Sequence, residues 1–375
     1  MIKILITGDL CPVNRIEHLA KSGNFKSIFN DFITVTEEND LNITNLECPL
    51  YNGTNNIKKR GPSLKAKESL VKILTSGNFN LATLANNHLM DFGEDGLNST
   101  IGACKRENIS IVGAGSNLKN ARIPFYKKIK DKTIAIINIA ENEFATTQNE
   151  RPGANPLNPV TNYYDIKDAK SKADFVFVIV HGGHELYRLP SPRMQEIYRF
   201  MIDAGADSVV GHHTHCYSGY EIYHNKPIFY SLGNFLFDWP EKRSSIWNSG
   251  YALQFIINDE NIDFKLHPYI QGDIEPGVRL MNDQEKDQFK NQLLQLNLQI
   301  GNSEVIALKF EEFLNTRKRN YLSHFEPYTN KFLVLLYNKG LLPSLVTGHK
   351  KRLLLNIIRC EAHRDLLIKT LSNNP

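Results

Sequence analysis

No run of about 18 apolar residues, the length that a bilayer-spanning helix needs, occurs in this chain, so no membrane span is expected. The opening Met1-Ile2-Lys3-Ile4-Leu5-Ile6-Thr7-Gly8 is too short for the apolar core of a signal peptide and already reads as a strand. Cysteine is sparse: Cys11, Cys48, Cys104, Cys216 and Cys360 make an odd number with no CxxC spacing. A reduced, cytoplasmic protein is the resulting expectation. Glycine and proline are not enriched, no repeat of solenoid period is present, and there is no low-complexity tract. A Gly-rich loop carrying Lys is also missing, which argues against ATP-driven ligation.

What is present is an ordinary globular composition, 41% hydrophobic and 22% charged. At 375 residues the chain can form one large domain with an appendage, or two domains. The net charge of +4 is unevenly spread. From Gly301 to Pro375 there are 12 Lys/Arg against 6 Asp/Glu, which leaves the first 300 residues at about −2. Such a basic tail fits an ordinary solvated helical face, or contact with an anionic partner or surface.

Short β-branched runs alternate with helical patterns. Ile2–Thr7, Leu41–Leu46, Leu81–Ala85, Ile109–Val112, Thr133–Ile139, Phe175–Val180, Ser208–Val210, Pro227–Ser231 and Tyr251–Ile257 read as strands. Phe175–Val180 has no charge in six residues, as a strand covered on both faces requires. Helical periods run over His18–Asn30, Ser63–Thr75 with Gly77 as C-cap, Asp95–Arg106 and Arg193–Ala204. This order predicts an α/β sandwich. Beyond Asp283 the pattern is helical and basic, so the expected division is a body over 1–282 and a helical extension over 283–375. In the extension, Leu354, Ile358, Ala362 and Leu366 share one face of a single last helix.

Ligand-type side chains recur where strands end. Asp9 follows the first strand, Asn45 and Glu47 close the second, and Asn86-Asn87-His88 follow the third. His181 comes directly after the apolar strand, and His212, His213 and His215 after the next. Carboxyl ends of strands in an α/β sheet converge on one crevice, so these groups can meet. Carboxylate, amide oxygen and imidazole are what hard or borderline divalent cations take. A histidine after six apolar residues is costly to bury without a partner. The His-x-His pair, on an extended segment, points both rings to one side.

Five segments together resemble the CapA family: Thr44–Glu47, Ala85–His88 with Asp91, His181–Glu185, Gly205–Asp207 leading to Gly211–His215, and Lys226–Phe235. That family is linked to poly-γ-glutamate and capsule synthesis. The resemblance covers about Met1–Asp238 and implies a calcineurin-like metallophosphatase fold, with two central mixed sheets flanked by helices. It implies two divalent ions, with Mn, Fe, Zn and Mg not distinguished. Their ligands would come from Asp9, a bridging Glu47, Asn87, His181, His213 and His215. Asn45 would be a ligand or orient one, and His212 is an extra imidazole that can take the place of His213. His88, oriented by Asp91, corresponds to the catalytic histidine.

Arg60, with Lys58 and Lys59, lies on a basic loop suited either to solvent or to an anionic substrate. Glu185 and His184 are candidates to orient imidazoles or meet substrate, and Asn234 to complete the rim or make a structural turn. Cys48 and Cys216 read as small buried thiols. Three departures stand out. Cys11 occupies the place where the metallophosphatase Asp-x-His motif has histidine, Gly182 stands where many relatives have Trp, and the membrane anchor or export signal that many relatives carry is not expected from Met1–Gly8.

The function that follows is a metal-dependent phosphoesterase-like hydrolase associated with capsule, poly-γ-glutamate or exopolysaccharide synthesis. The alternatives are an enzyme of amide chemistry modifying the polymer, or a non-catalytic assembly subunit with a degenerate site. The expected partners are an anionic small-molecule or polymer substrate and capsule-synthesis proteins, with no nucleic acid. Lys350-Lys351-Arg352 before an apolar stretch add a candidate peripheral contact at the inner membrane face.

Overall fold

The fold is that of a computed structural model, which describes residues 1–59 and 61–373. In chain order the strands are β1 (Ile2–Leu10), β2 (Leu41–Leu46), β3 (Leu81–Thr83), β4 (Ser110–Val112), β5 (Ala114–Gly115), β6 (Phe125–Ile129), β7 (Lys132–Ala140) and β8 (Gly153–Ala154). There follow β9 (Phe175–His181), β10 (Ser208–His212), β11 (Tyr220–Tyr223), β12 (Lys226–Phe229), β13 (Asn234–Leu236), β14 (Ser249–Asn258), β15 (Asn261–Gln271) and β16 (Val278–Leu280). Eight of them form one mixed sheet, in the order β16-β15-β14-β1-β2-β3-β4 with β13 beside β1. Six form a second, β11-β12-β10-β9-β7-β6.

Alternation along β1 explains how the sheets stack. Ile4 and Ile6 join the core that also holds Ile136, Val178 and Val210 of the second sheet, whereas Leu5 faces the opposite core with Ile28, Phe32 and Leu97. Between the sheets, the Phe177 and Phe255 rings lie 4.7 Å apart. β9 is buried along its whole length between β7 and β10, as its uncharged sequence requires.

Helices cover the outer faces. Pro159–Lys172 and Pro192–Asp203 start at Pro behind the side-chain caps of Asn158 and Ser191, and they lay Ile166, Ala169, Met194 and Tyr198 on the six-stranded sheet. Gly93–Arg106 buries Leu97, Ala103 and Cys104 against the other. The predicted α/β sandwich, two mixed sheets flanked by helices with a helical C-terminal part, is the fold of the chain.

Some elements differ from the sequence expectation. His18–Asn30 is two helices, Arg15–Lys21 and Phe25–Phe29, because Gly23 turns the chain with φ 74°. Ser63–Thr75 is helical only from Glu68; ahead of it Ala66 is held extended by backbone bonds to Pro49 and Tyr51. Cys360, extended at ψ 116°, splits the last helix into Gly348–Arg359 and Glu361–Asn373.

The chain divides into compact units at 307/308 rather than at the expected 282/283. Asn282 and Glu285 cap the helix Asp283–Ile300, which then places Phe289, Leu293, Leu296 and Ile300 in the core of the body. Its Asn297 side chain also accepts the Tyr220 N–H at 2.8 Å. The second unit, from Leu308, is helical and among its described residues buries few side chains, Tyr337 and Glu326 being two. Among the described residues no helix is long and apolar enough to cross a membrane.

Candidate metal centre

The carboxyl ends of β1, β2, β9 and β10 deliver the expected groups to one place. β1 slips register against β2 between Ile6 and Asp9, a bulge that re-aims the strand end. Beyond it Asp9 pairs with Asn45 on one side and Asn234 on the other. The second contact is so close that a Cβ on Gly8 would sit 1.8 Å from the Gly233 carbonyl oxygen, and Gly233 itself turns at φ 80°. In the other sheet, His181 and His212 are in register across β9 and β10.

Two triads result, Glu47–His181–His213 and Asp9–Glu47–His215, all buried, with Glu47 common to both. Glu47 Oε1 lies 3.8 Å from His181 Nε2 and 3.7 Å from His215 Nε2. His181 Nε2 and His213 Nδ1 face each other at 3.1 Å. Neither Glu47 carboxylate oxygen has a hydrogen-bond partner, although the residue is fully buried. A buried ionised carboxylate without hydrogen bonds is too costly to stand alone, so the chemistry of the cluster fits a divalent cation.

The electrostatics agree. Burial first, then the charge of Asp9, pushes the Glu47 carboxyl well above the ordinary range. Burial also pushes Asp9 up, but the His212 hydrogen bond and the neighbouring imidazoles outweigh it and hold this carboxyl below the usual range. Burial takes His215 down to about 4 and His181 well below its ordinary value. The two imidazoles are thus neutral, as ligands must be.

The remaining expected residues take distinct places. His212 Nδ1 bonds Asp9 Oδ1 at 3.1 Å, and the residue is in neither triad, whereas His213 and His215 are. Asn45 donates to Asp9 Oδ1 at 2.7 Å and its amide also lies 3.1 Å from His181 Nδ1. Half-buried Asn87 places its side-chain oxygen 3.0 Å from His181 Nε2. The segment after β10 is not extended: His213 and His215 adopt φ 88° and 56°, a strained backbone that brings the rings together by a turn.

Asn234 is buried behind His215 and not on the rim. Its oxygen lies 2.9 Å from His215 Nδ1, and its amide donates to the His215 and Trp247 carbonyls. Trp247 and Phe237 pack against the same imidazole, with ring centroids at 4.4 and 5.5 Å. Cys11 is buried beside the Cys48 thiol and belongs to neither triad; burial pushes its thiol up. Glu185 is exposed, close enough to act electrostatically on Glu47 and His215. Arg60 lies outside the described residues.

His88 stands beside the cluster with its Nδ1 2.7 Å from Asp91 Oδ2. Two groups that sequence reasoning undervalued lie close to the site. Lys59 is ion-paired with Asp91 rather than solvated. Glu141, at the end of β7, accepts the Gly183 N–H at 2.9 Å and pairs with Arg193. Its position directly after an apolar strand was the available signal.

The family model described as bacterial capsule synthesis protein PGA_cap matches residues 3–239. The chain belongs to this family. Within PGA_cap, it is 35% identical over 245 residues to the PGA biosynthesis protein CapA of Bacillus subtilis, covering 64% of each chain. To the capsule biosynthesis protein CapA of Bacillus anthracis it is 32% identical over 255 residues, covering 65% of this chain and 62% of the relative. The matches thus span less than two thirds of either relative. A solved structure described as a novel phosphatase from Mycoplasma pneumoniae is similar at 14% identity and a TM-score of 0.45, over 73% of this chain and 95% of that one.

Proposed function

We propose that this PGA_cap protein is a metal-dependent phosphoesterase-type hydrolase that acts on an anionic intermediate of capsule or poly-γ-glutamate synthesis. The observation that carries this reading is Glu47, buried with both oxygens unpartnered at the shared corner of two ligand triads. Two divalent ions bridged by one carboxylate call for that arrangement. Asp9, Glu47 and His215 would hold one; Glu47, His181 and His213, with the Asn87 oxygen nearby, would hold the other. Ions bound there supply Lewis-acid activation of water and positive charge for the phosphoryl oxygens.

The chain's own groups do the rest. Asn45 and His212 fix the Asp9 carboxylate by hydrogen bonds, and Asn234 with Trp247 fixes the His215 ring. His88, its Nδ1 committed to Asp91, has Nε2 for protonating the leaving oxygen.

The test is turnover of a generic aryl phosphate by the purified full chain. Activity lost on chelation and restored by a divalent cation supports the proposal. No turnover with any of Mn, Fe, Zn or Mg, in a chain shown to contain metal, would overturn the phosphoester reading and favour amide chemistry.

We infer in addition that the helices Lys331–Asn338 and Gly348–Arg359 rest on an anionic lipid surface. Phe332, Leu335, Leu353, Leu355 and Ile358 are exposed on them. From Leu308 to Pro375 the chain carries 12 Lys/Arg against 5 Asp/Glu, a charge that complements acidic headgroups.

A further inference from the structure

Asp91 ties together more of the chain than its role toward His88 requires. The carboxylate is buried, and Oδ2 takes both the His88 Nδ1 contact at 2.7 Å and the Leu64 N–H at 2.7 Å. The Asp91 carbonyl accepts the Ile57 N–H at 2.9 Å. Between these two anchor points Lys59 turns inward. Its ammonium pairs with Asp91 Oδ1 and lies 3.3 Å from His88 Nδ1, with the side chain only 4% exposed. Its neighbour Lys58 is exposed.

A lysine on a basic surface loop ordinarily keeps its ammonium in water, because desolvating it is expensive. Here the cost is offset by a carboxylate that has one charge and several claims on it. Lys59 neutralises Asp91 Oδ1 and leaves Oδ2 to orient the imidazole. Without that cation Oδ1 would be a buried, unpaired carboxylate oxygen, the side chain would be held through Oδ2 alone, and His88 would lose part of its fixed orientation.

We propose that Lys59 is a positioning residue for His88: it locks Asp91 in the rotamer that holds the ring and pins the basic loop to the turn His88–Asp91. The catalytic part of this assignment rests on the hydrolase reading above; the pinning does not.

Three full-length variants test it, Lys59→Met, which keeps the volume without the charge, Lys59→Ala, and Lys59→Arg, which keeps the charge. In hydrogen exchange, the amides of Ile57 and Leu64 should open at least tenfold faster in Lys59→Met, with metal content unchanged, and stay near wild type in Lys59→Arg. With an aryl phosphate, Lys59→Met should lose kcat by about a hundredfold with KM within about threefold of wild type. Lys59→Arg should recover most of the loss, and added methylammonium should restore part of it in Lys59→Ala.

Unchanged exchange at Ile57 and Leu64 in Lys59→Met would overturn the pinning. A rise in KM with kcat intact would overturn the positioning role, since it marks a substrate contact instead. If the wild-type chain turns nothing over, the hydrolase reading falls, and the exchange measurement still decides whether Lys59 is the pin.

Discussion

Glu47 Oε1 and His215 Nε2 lie 3.7 Å apart, too far for a hydrogen bond and close enough for both to face one ion. The same carboxylate stands 3.8 Å from His181 Nε2 on its other side. One buried acid thus organises imidazoles delivered by two strands of a different sheet.

Without metal, Glu47 destabilises the fold. Glu47→Gln keeps the shape and removes the ionisable charge, so the metal-free chain should be at least as stable as wild type near neutral pH. It should also remove most of the thermal stabilisation that divalent ions give. Melting curves of both proteins with and without chelator check this; a wild type insensitive to chelator would contradict it.

The raised Glu47 carboxyl sets a pH dependence. Its folded value exceeds the unfolded 4.5, so the folded metal-free chain binds the proton more tightly. The Glu47 contribution is then fully present below 4.5 and is lost as pH rises toward the folded value. An entering cation must displace that proton, so apparent affinity should rise about tenfold per pH unit below the folded value and level off above it. His215, lowered from 6.5 to about 4, is neutral in the folded chain above that value and adds no slope to metal affinity there, but its unfolded form takes up a proton below 6.5, so in stability it opposes Glu47 between about 4 and 6.5. Titration calorimetry across pH should show the slope in wild type and a flat profile in Glu47→Gln.

His88→Ala should lower kcat by about 10²–10⁴ while leaving metal content unchanged, because the histidine lies beside the triads and not in them. Asp91→Asn should give a smaller loss of the same kind. Loss of metal from His88→Ala would assign the histidine to the ligand set instead.

Asn234→Ala removes the hydrogen bond that orients His215. Supporting groups of this kind are worth about 10–100-fold in metal affinity. Competition with a metal chromophore should show that loss with the fold intact by circular dichroism.

Lys350, Lys351 and Arg352 are exposed at the start of their helix. At about 1 kcal/mol per cation near an acidic surface, replacing all three by Ala should weaken sedimentation with anionic vesicles by about a hundredfold. Neutral vesicles should not bind either protein; equal binding to both kinds would remove the lipid assignment.

Much of the site was legible because each ligand-type residue follows a buried apolar run. Asp9, Glu47 and His181 each mark the end of a strand, and topology alone brings such ends together. Asn234 was not legible as a support for His215. That role depends on its pairing with Asp9 and on the contact of Gly8 with Gly233, groups more than two hundred residues apart in sequence. The turned backbone at His213 and His215 was equally hidden, since non-glycine residues default to negative φ. Lys59 read as a group for solvent or for an anionic substrate because its loop is basic, and only the three-dimensional position of Asp91 draws it inward. Phe289, Leu293, Leu296 and Ile300 recur at helical spacing and form a core-facing stripe, which carries the first compact unit on to Ala307.

The most direct test of the metal centre is elemental analysis of the purified full-length chain beside Glu47→Gln. One to two divalent ions per wild-type chain, falling to a small fraction in Glu47→Gln, is the predicted result. Fewer than about half an ion per wild-type chain, purified without chelator, would contradict it.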